Sequence, residues 1–298
     1  MAIDINRSTS GVTLPPAVSA DIWADAQEQS IIMQLARRID IPGRGVTIPI
    51  ITGDPKADWV AETDEKPVSE GTLSNKTLTA YKLAVIEPFS MEFRRDLPTL
   101  YNALRPRLAG AIARAFDETV LFGPAPGSGF DTLASAPAVS IDNTSSQTMY
   151  DGLVAAISSV AAGGGTLTAW ALAPQGEALA LRATDATGRP LFISNLQTEG
   201  RALGNFIGRP AYLLRHVYRA GDGTSEPETV GFAGDWTAAL YGVVSGISIS
   251  ESDQATLTDS EGNTLNLWQR NMFAIRAEVE IGFAVRDVNR FVRLTGAV

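Results

Sequence analysis

Hydrophobic and polar positions near the N-terminus predict two strands on either side of a long polar stretch. One strand spans Gly45 to Ile51, and a second apolar run spans Thr77 to Phe93, so the chain between them forms an oversized β-hairpin. One face of the second run is expected to carry Tyr81, Leu83, Val85, Phe89, Met91 and Phe93, which share a parity. A two-stranded ribbon is marginally stable alone in water. We therefore expect this hairpin to lie on another surface.

Helices are predicted both before and after the hairpin in the sequence. Apolar residues recur every three or four positions after Pro98, which predicts a helix ending at Gly123 and nearly 40 Å long at ~1.5 Å per residue. Pro106 is expected to kink this helix, because proline cannot donate a backbone hydrogen bond. A shorter amphipathic helix is predicted from Ser19 to the stop at Ile41-Pro42-Gly43. The preceding residues 1–18 have no helical period and are expected to form a tail along another subunit.

Shorter units fill the second half of the chain. Helices are predicted at Thr148–Ala162 and Pro174–Thr184, and strands at Leu167–Ala173, Arg209–Leu214, Thr229–Ala233 and Leu240–Ile249. The final stretch, Trp268–Leu294, alternates with period two and predicts strands whose apolar face carries Phe273, Ile275, Ala277, Val279, Ile281, Phe283 and Val285. The predicted fold class is α+β, with a long helix against a terminal sheet and a mixed domain inserted between them.

Composition and charge narrow the class of protein. The chain has 298 residues, of which 45% are hydrophobic and 19% charged, as in ordinary soluble domains. Its net charge of −9 argues against a protein that grips nucleic acid through its phosphates. The absence of cysteine excludes disulfides, thiolate metal sites and cysteine nucleophiles. No apolar run approaches the ~20 residues of a membrane-spanning helix, and no signal peptide is evident, so we expect no membrane association.

All four lysines fall between residues 52 and 82, at Lys56, Lys66, Lys76 and Lys82, whereas the arginines are scattered over the rest of the chain. One interpretation is that these lysines pair with acidic patches on adjacent subunits. Each exposed ion pair would contribute about 0–1 kcal/mol, so apolar anchors should matter more. The alternative is that the lysines only keep the hairpin edge soluble.

The sequence offers little catalytic chemistry. The single histidine, His216, follows a strand and is expected to be a surface or partly buried residue without a catalytic role. A serine nucleophile would need a base such as His216, but no Gly-x-Ser-x-Gly elbow occurs, and Gly127-Ser128-Gly129 has the wrong spacing. The carboxylate pairs Glu62/Asp64 and Asp117/Glu118 are expected to be solvated or to form subunit ion pairs.

Glycine-rich and acidic stretches are better explained as turns. Gly163-Gly164-Gly165 follows a helix and precedes a strand, which is the reverse of a phosphate-binding loop. The stretch Asp259–Asn263 resembles a calcium loop only in composition and is expected to be a hairpin turn. No catalytic residue, cofactor or metal site is therefore predicted.

Read in order, these parts resemble the major capsid proteins of tailed bacteriophages with the Hong Kong 97-type fold. Trp59-Val60-Ala61-Glu62, with Lys66-Pro67 downstream, is similar to that family's extended loop. Asp117–Gly123 resembles the end of its spine helix. Trp268–Asn271, leading through Arg276 into Ile281–Val285, resembles its last peripheral-domain strands.

The resemblance implies four regions. Residues 1–45 would form an N-terminal arm and helix, and residues 46–93 the extended loop laid across an adjacent subunit. Residues 94–124 and 250–298 would form the peripheral domain with its spine helix and sheet. Residues 125–249 would be the axial domain, around which five or six copies meet. Subunit contacts would involve Lys56, Trp59, Glu62, Lys66, Leu73, Lys76, Leu78 and Lys82.

The function implied is that of a major capsid protein, which self-assembles through pentamers and hexamers into an icosahedral shell. The shell would enclose double-stranded DNA without binding it specifically, and it would assemble in the bacterial host cytoplasm. Portal and decoration proteins are candidate partners. Only about 18 residues precede the first helix, so scaffolding would have to come from a separate protein, or be absent. A lysine–asparagine crosslink, from Lys66 or Lys76 to Asn271, is not predicted.

Three rival functions remain open from sequence. The nearest is an encapsulin-like nanocompartment shell of the same fold, which would enclose enzymes in place of a genome. A serine hydrolase using His216 is a rival of another class. A tail or adhesion protein would form trimers or open tubes.

Overall fold

The computed structural model describes residues 16–43, 45–51, 59–60, 66, 73–142, 148–183, 202–222, 227–258 and 261–296. The predicted tail lies outside these residues up to position 15. The helices are α1 (Pro16–Gln29), α2 (Ile31–Leu35), α3 (Leu97–Phe122), α4 (Met149–Ala162) and α5 (Pro174–Arg182), with 3-10 turns at Met91–Asp96, Arg215–Val217, Trp236–Ala238 and Val288–Arg290. The strands are β1 (Arg37–Asp40), β2 (Val46–Ile51), β3 (Leu73–Leu78), β4 (Tyr81–Ser90), β5 (Ala138–Ser140), β6 (Ala169–Leu172), β7 (Ala202–Phe206), β8 (Arg209–Leu213), β9 (Thr229–Gly234), β10 (Ala239–Ser252), β11 (Thr256–Thr258), β12 (Thr264–Asn266), β13 (Met272–Val285) and β14 (Phe291–Thr295).

The long helix is present as predicted. It buries a stripe at three- and four-residue spacing, formed by Leu104, Leu108, Ile112, Phe116 and Val120. The helix continues through Pro106, and the kink expected there stays a prediction. The Phe116 ring lies edge-on to Phe283 of β13, with centroids 6.4 Å apart, while Phe122 lies 5.5 Å from Phe232 of β9. Because β13 and β9 belong to different sheets, α3 joins the two sheets of the subunit.

The predicted N-terminal helix is interrupted. α1 begins earlier than expected and ends before Ser30, whose backbone is extended and whose hydroxyl accepts a hydrogen bond from the amide of Met33. Ser30 therefore caps a separate helix, α2. Arg37 and Arg38, which fall inside the helix predicted from Ser19 to Ile41, are in β1, which runs parallel to β10. The prediction of one helix continuing to the stop at Ile41 was wrong for this reason.

A four-stranded sheet, in the order β1-β10-β13-β4, forms one side of the molecule. Its two long strands, β10 and β13, are antiparallel, and β4 adds antiparallel to β13. The predicted apolar face of β13 is confirmed, because all seven of its residues, Phe273, Ile275, Ala277, Val279, Ile281, Phe283 and Val285, are buried. A small hairpin, β11–β12, precedes β13 and flanks the stretch that was predicted to be a turn.

The second apolar run of the hairpin divides between two sheets. β3 pairs antiparallel with β2, whereas β4 pairs with β13. The chain changes sheet at Thr79, whose amide donates to the carbonyl of Gly129. The second arm of the hairpin is therefore β3, and the prediction of one continuous arm from Thr77 to Phe93 was wrong. The shared face predicted for this run is present in β4, but it packs on the core of its own subunit and not on another surface, and Phe93 is exposed because the chain enters a 3-10 turn at Met91.

A six-stranded sheet, in the order β5-β14-β9-β6-β8-β7, forms the other side. β6 and β9 are buried along their whole length, as expected for strands covered on both faces. One face is covered by α4 and α5, whose positions match their predictions closely, and the other joins the core around α3. Thr148 and Asp151 form a capping box at the start of α4. The sheet is thus enclosed by helices within a single subunit.

Candidate subunit interface

The tip of the hairpin presents an aromatic side chain to solvent. Trp59 has a relative exposure of 105%, and its neighbour Val60 is also exposed. Lys66, further along the same segment, is exposed as well. Lys56 and Glu62 lie outside the described residues. A fully exposed tryptophan is an unusual surface residue and a frequent anchor in interfaces, so this position is suited to docking on another surface.

The root of the hairpin is held firmly in its own subunit. Leu78 is fully buried against Ile41 and Ala284. Beneath it, Gly242 of β10 and Gly282 of β13 are paired across the sheet. A Cβ on Gly242 would lie 2.1 Å from Ile41 Cδ1, and one on Gly282 would lie 2.5 Å from the carbonyl oxygen of Thr79. The two glycines therefore form a notch into which the hairpin root packs.

Lys76 and Lys82 have acidic partners within the subunit. Lys76 Nζ lies 2.6 Å from Asp131 Oδ2 and donates to the carbonyl of Val285 at 2.6 Å. The same carboxylate accepts a hydrogen bond from the Val285 amide at 2.8 Å. Lys82 Nζ lies 3.5 Å from Glu280 Oε1. Lys76 and Asp131 thus tie the hairpin root to the end of β13.

Leu73 is the first residue of β3, and its backbone pairs with Ile51 of β2. Its side chain is not described. Of the residues predicted for subunit contacts, the structure places Trp59 and Lys66 at the exposed tip, and Lys76, Leu78 and Lys82 on internal partners. The side chains described at the tip are thus exposed, whereas those at the root contact groups of the same subunit.

A buried carboxylate joins three parts of the fold. Asp117 of α3 is fully buried and accepts hydrogen bonds from the Ser30 hydroxyl at 2.5 Å and from the Ile31 amide at 2.9 Å. His216 Nε2 lies 2.7 Å from Asp117 Oδ2. The expectation that Asp117 would be solvated or part of a subunit ion pair was wrong, because it secures α2 and the Arg215–Val217 turn to α3. Sequence reasoning missed Ser30, although a serine directly before an apolar helix is a recognisable cap.

The order of these groups does not suit nucleophilic catalysis. In a catalytic triad, histidine lies between the serine and the carboxylate, so that it can take the hydroxyl proton. Here Asp117 lies between Ser30 and His216. The Ser30 hydroxyl donates to a carboxylate that also accepts from the amide of Ile31, which is the arrangement of a structural network. His216 is partly buried, as predicted.

Three titratable groups have shifted pKa values that reflect local packing. Burial raises the pKa of Tyr241, whose hydroxyl also accepts a hydrogen bond from Gln27 at 3.2 Å. A hydrogen bond to Glu228 raises the pKa of Tyr218. Hydrogen bonds from Thr148 lower the pKa of Asp151. Each shift follows from a contact that stabilises the fold of one subunit.

Several exposed apolar side chains were missed in the sequence. Tyr150 and Val154 lie one turn apart on α4 and are both exposed, and the 14-residue helix contains one charged residue, Asp151. At the far end of the four-stranded sheet, Phe93 and Trp268 are exposed. The near absence of charge in α4 was a usable signal, because a solvated helix face is normally charged.

A metal-ligand cluster and a membrane-spanning helix are both absent from the part of the chain that the structure describes. Within those residues, no group of three or more histidine or acidic side chains could hold a metal ion. None of the described helices is long and apolar enough to span a membrane.

Comparisons with known proteins agree with the architecture. A sequence profile described as the phage capsid family matches residues 10–296. A probable major capsid protein of Mycobacterium phage L5 is 36% identical over 95% of this chain and 89% of its own length. The corresponding protein of Mycobacterium phage D29 is 35% identical over 96% and 90%. A solved structure from Gordonia phage Cozz superposes with a TM-score of 0.72 and 27% identity, over 91% of this chain and 87% of that one. This chain belongs to the phage capsid family.

Proposed function

We infer that this protein is the major head subunit of a tailed bacteriophage and that its copies form a closed icosahedral shell of pentamers and hexamers around double-stranded DNA. Two relatives that align with nearly the whole chain are named probable major capsid proteins. The structural observation that carries the proposal is the exposed Trp59 beyond a hairpin whose root is fixed. Such a side chain gains its burial only from a second surface.

The hairpin tip of each copy would lie on the next copy in a ring. This contact is head-to-tail, and a repeated head-to-tail contact closes when its rotation divides a full turn. Trp59 would be the main anchor, with Lys56, Glu62, Lys66 and Leu73 around it. Burying a tryptophan of roughly 200 Å² at about 25 cal/mol per Å² contributes ~5 kcal/mol before the entropy cost of ordering the loop.

The four regions implied by the family resemblance would build this shell. We propose different limits for them at two strands, β4 and β14. β4 would belong with the peripheral sheet, since it pairs with β13, and β14 with the axial domain, since it pairs with β9. The net charge of −9 fits a container that surrounds DNA without gripping it. Portal and decoration proteins are candidate partners, and assembly would take place in the host cytoplasm.

Electron microscopy of the purified protein tests the proposal. We expect closed shells, or pentamers and hexamers that convert to shells as the concentration is raised. Sedimentation across the same concentrations would follow the loss of free subunits. Trimers or open tubes would contradict the proposal, and so would a species that stays monomeric at every concentration.

A further inference from the structure

A cleft of about 330 Å³ opens where three elements meet on the surface of the subunit. Gln29, at the end of α1, forms one wall, and Gly110 and Arg114 of α3 form the second. Leu214, Arg215 and His216, at the Arg215–Val217 turn, form the third. The position is remote in sequence from the hairpin, and none of these residues was predicted to contact a partner.

The cleft is held open by the subunit itself. Gly110 lets the end of α1 approach α3 closely, since a Cβ at this position would lie 2.8 Å from Gln29 Oε1. On the far side, the contact of His216 Nε2 with the buried Asp117 fixes the turn to the same helix. A site with walls that are fixed before binding loses little conformational entropy when it is occupied.

Two arginines, Arg114 and Arg215, give the cleft positive charge. Arg114 and Arg215 are both exposed, and among the residues that the structure describes neither guanidinium group forms a salt bridge or a side-chain hydrogen bond. Arg107 is exposed two turns before Arg114 on α3 and extends the positive surface. Glu118 follows Arg114 by one turn and is exposed, but no ion pair joins the two. Guanidinium groups bind carboxylates in paired hydrogen bonds, so two unpaired arginines beside an apolar wall suit an acidic peptide segment.

The chain itself contains a matching acidic segment. Residues 52–72, between the paired ends of β2 and β3, include six acidic residues and two lysines. Three of the acidic residues, Glu62, Asp64 and Glu65, lie within four positions of each other, close to Trp59. Half of this segment, about ten residues, can reach roughly 33 Å from the hairpin end when extended. A neighbouring copy is therefore within reach of the segment.

We propose that this cleft binds the acidic side chains of Glu62, Asp64 and Glu65 from the hairpin tip of an adjacent copy. The inference rests on the proposed shell assembly and assigns a receptor site to it. Trp59 contributes apolar burial, whereas the acidic cluster sets register and direction, because oppositely charged groups select one alignment over others. In a chain of net charge −9, such pairing also offsets the repulsion between copies.

A charge swap tests the proposal. One variant carries Arg114→Glu with Arg215→Glu, a second carries Glu62→Arg, Asp64→Arg and Glu65→Arg, and a third combines all five changes. Reversal of one side should lower the yield of shells by about tenfold or more, since like charges then face each other. The combined variant should recover to within about threefold of the unaltered chain, because the pairs are restored with opposite polarity.

The matched control combines the three loop changes, Glu62→Arg, Asp64→Arg and Glu65→Arg, with Arg182→Glu and Arg270→Glu. Both arginines are exposed and lie outside the cleft, so the control has the same net charge as the combined variant without restoring the pairs. Its shell yield should stay low. Circular dichroism of unassembled subunits checks that each variant is folded, and an Arg114→Gln/Arg215→Gln variant replaces the cleft reversal if that variant is not.

Two results would overturn the proposal. One is a normal shell yield from the cleft variant while the unaltered chain also assembles, which leaves the proposed function intact; if those shells also package less DNA, the ligand is phosphate. The second is a combined variant that assembles no better than its control. Failure of the unaltered chain to form shells would contradict the proposed function and this inference together.

Discussion

The six-stranded sheet and the β2–β3 hairpin differ in where their buried surface comes from. β6 and β9 are enclosed by helices of the same chain on both faces. The hairpin is fixed at its root by Leu78 and by the Lys76–Asp131 ion pair, yet its tip leaves Trp59 fully exposed. The six-stranded sheet is covered by its own chain, whereas the hairpin packs on its own subunit only at the root. The difference teaches that stability of the subunit and assembly of the shell can be altered separately.

Removal of the hairpin tip should have the largest effect on assembly. Ile51 and Leu73 are paired, so an Asn-Gly turn in place of residues 52–72 would close β2–β3 directly. We expect folded, soluble subunits and no shells, because the contacts that the tip makes with the next copy in a ring are gone. Electron microscopy and circular dichroism together would show this. Normal particles from this variant would refute the role assigned to the tip.

A substitution inside the six-stranded sheet should lower the stability of the subunit itself and remove no contact between copies. Phe232 is fully buried and packs edge-on against Phe122. Phe232→Ala should lower the free energy of unfolding of the subunit by about 3–5 kcal/mol, through lost burial and a cavity. Urea denaturation of unassembled protein measures this. An unchanged midpoint would mean that this sheet does not hold the subunit together.

Trp59→Ala should affect the shell and spare the subunit. The expected loss is about 2–4 kcal/mol per subunit contact, as for a buried aromatic anchor. Unfolding of the free subunit should change by less than about 0.5 kcal/mol, since the side chain is exposed there. The measurement is the urea midpoint of shell dissociation, followed by light scattering.

Lys66→Ala is the matched control for Trp59→Ala, because Lys66 is also exposed in the same segment. It should weaken each subunit contact by about 1 kcal/mol or less. The urea midpoint of shell dissociation should therefore fall less than in the tryptophan variant. The reverse order would show that charge dominates this contact. Lys76 is unsuitable as a control because its ammonium group holds the hairpin root.

A smaller effect is expected at the glycine notch. Gly282→Ala should destabilise the subunit by about 1–3 kcal/mol, because its Cβ would press on the backbone of Thr79. Gly246→Ala is the control, since no atom lies within 4 Å of a Cβ there. Thermal unfolding of the two variants should therefore differ. Equal melting temperatures would mean that the notch is not needed to seat the hairpin root.

An element can be predicted from the sequence when its spacing of apolar residues alone decides which of its side chains are buried. The stripe on α3 and the alternation in β13 were read correctly, since each side chain is buried where its period places it. The division of one apolar run into β3 and β4 was missed, because a strand that changes partner keeps the same local pattern. The Gly242–Gly282 pair, on which the hairpin root packs, lies far along the chain from this run.

The candidate interface was predictable only in part. Trp59 was named as a subunit-contact residue from the family resemblance, and it is exposed in the single subunit. The internal partners of Lys76 and Lys82 were not predicted, because Asp131 and Glu280 are brought close only by the fold. The cleft beside Arg114 could not be foreseen either. Its walls come from three separate stretches of chain, and no local pattern reveals that they meet.

The claim that the hairpin tip is buried by a neighbouring copy can be measured with a single thiol. The chain contains no cysteine, so Val60→Cys places one reactive group beside Trp59. Rates of thiol labelling would be compared for free subunits, assembled shells and the unfolded chain. We expect labelling of free subunits at close to the unfolded rate, and at least about tenfold slower labelling in shells, because the tip is then covered. Equal rates in free subunits and shells would contradict the claim.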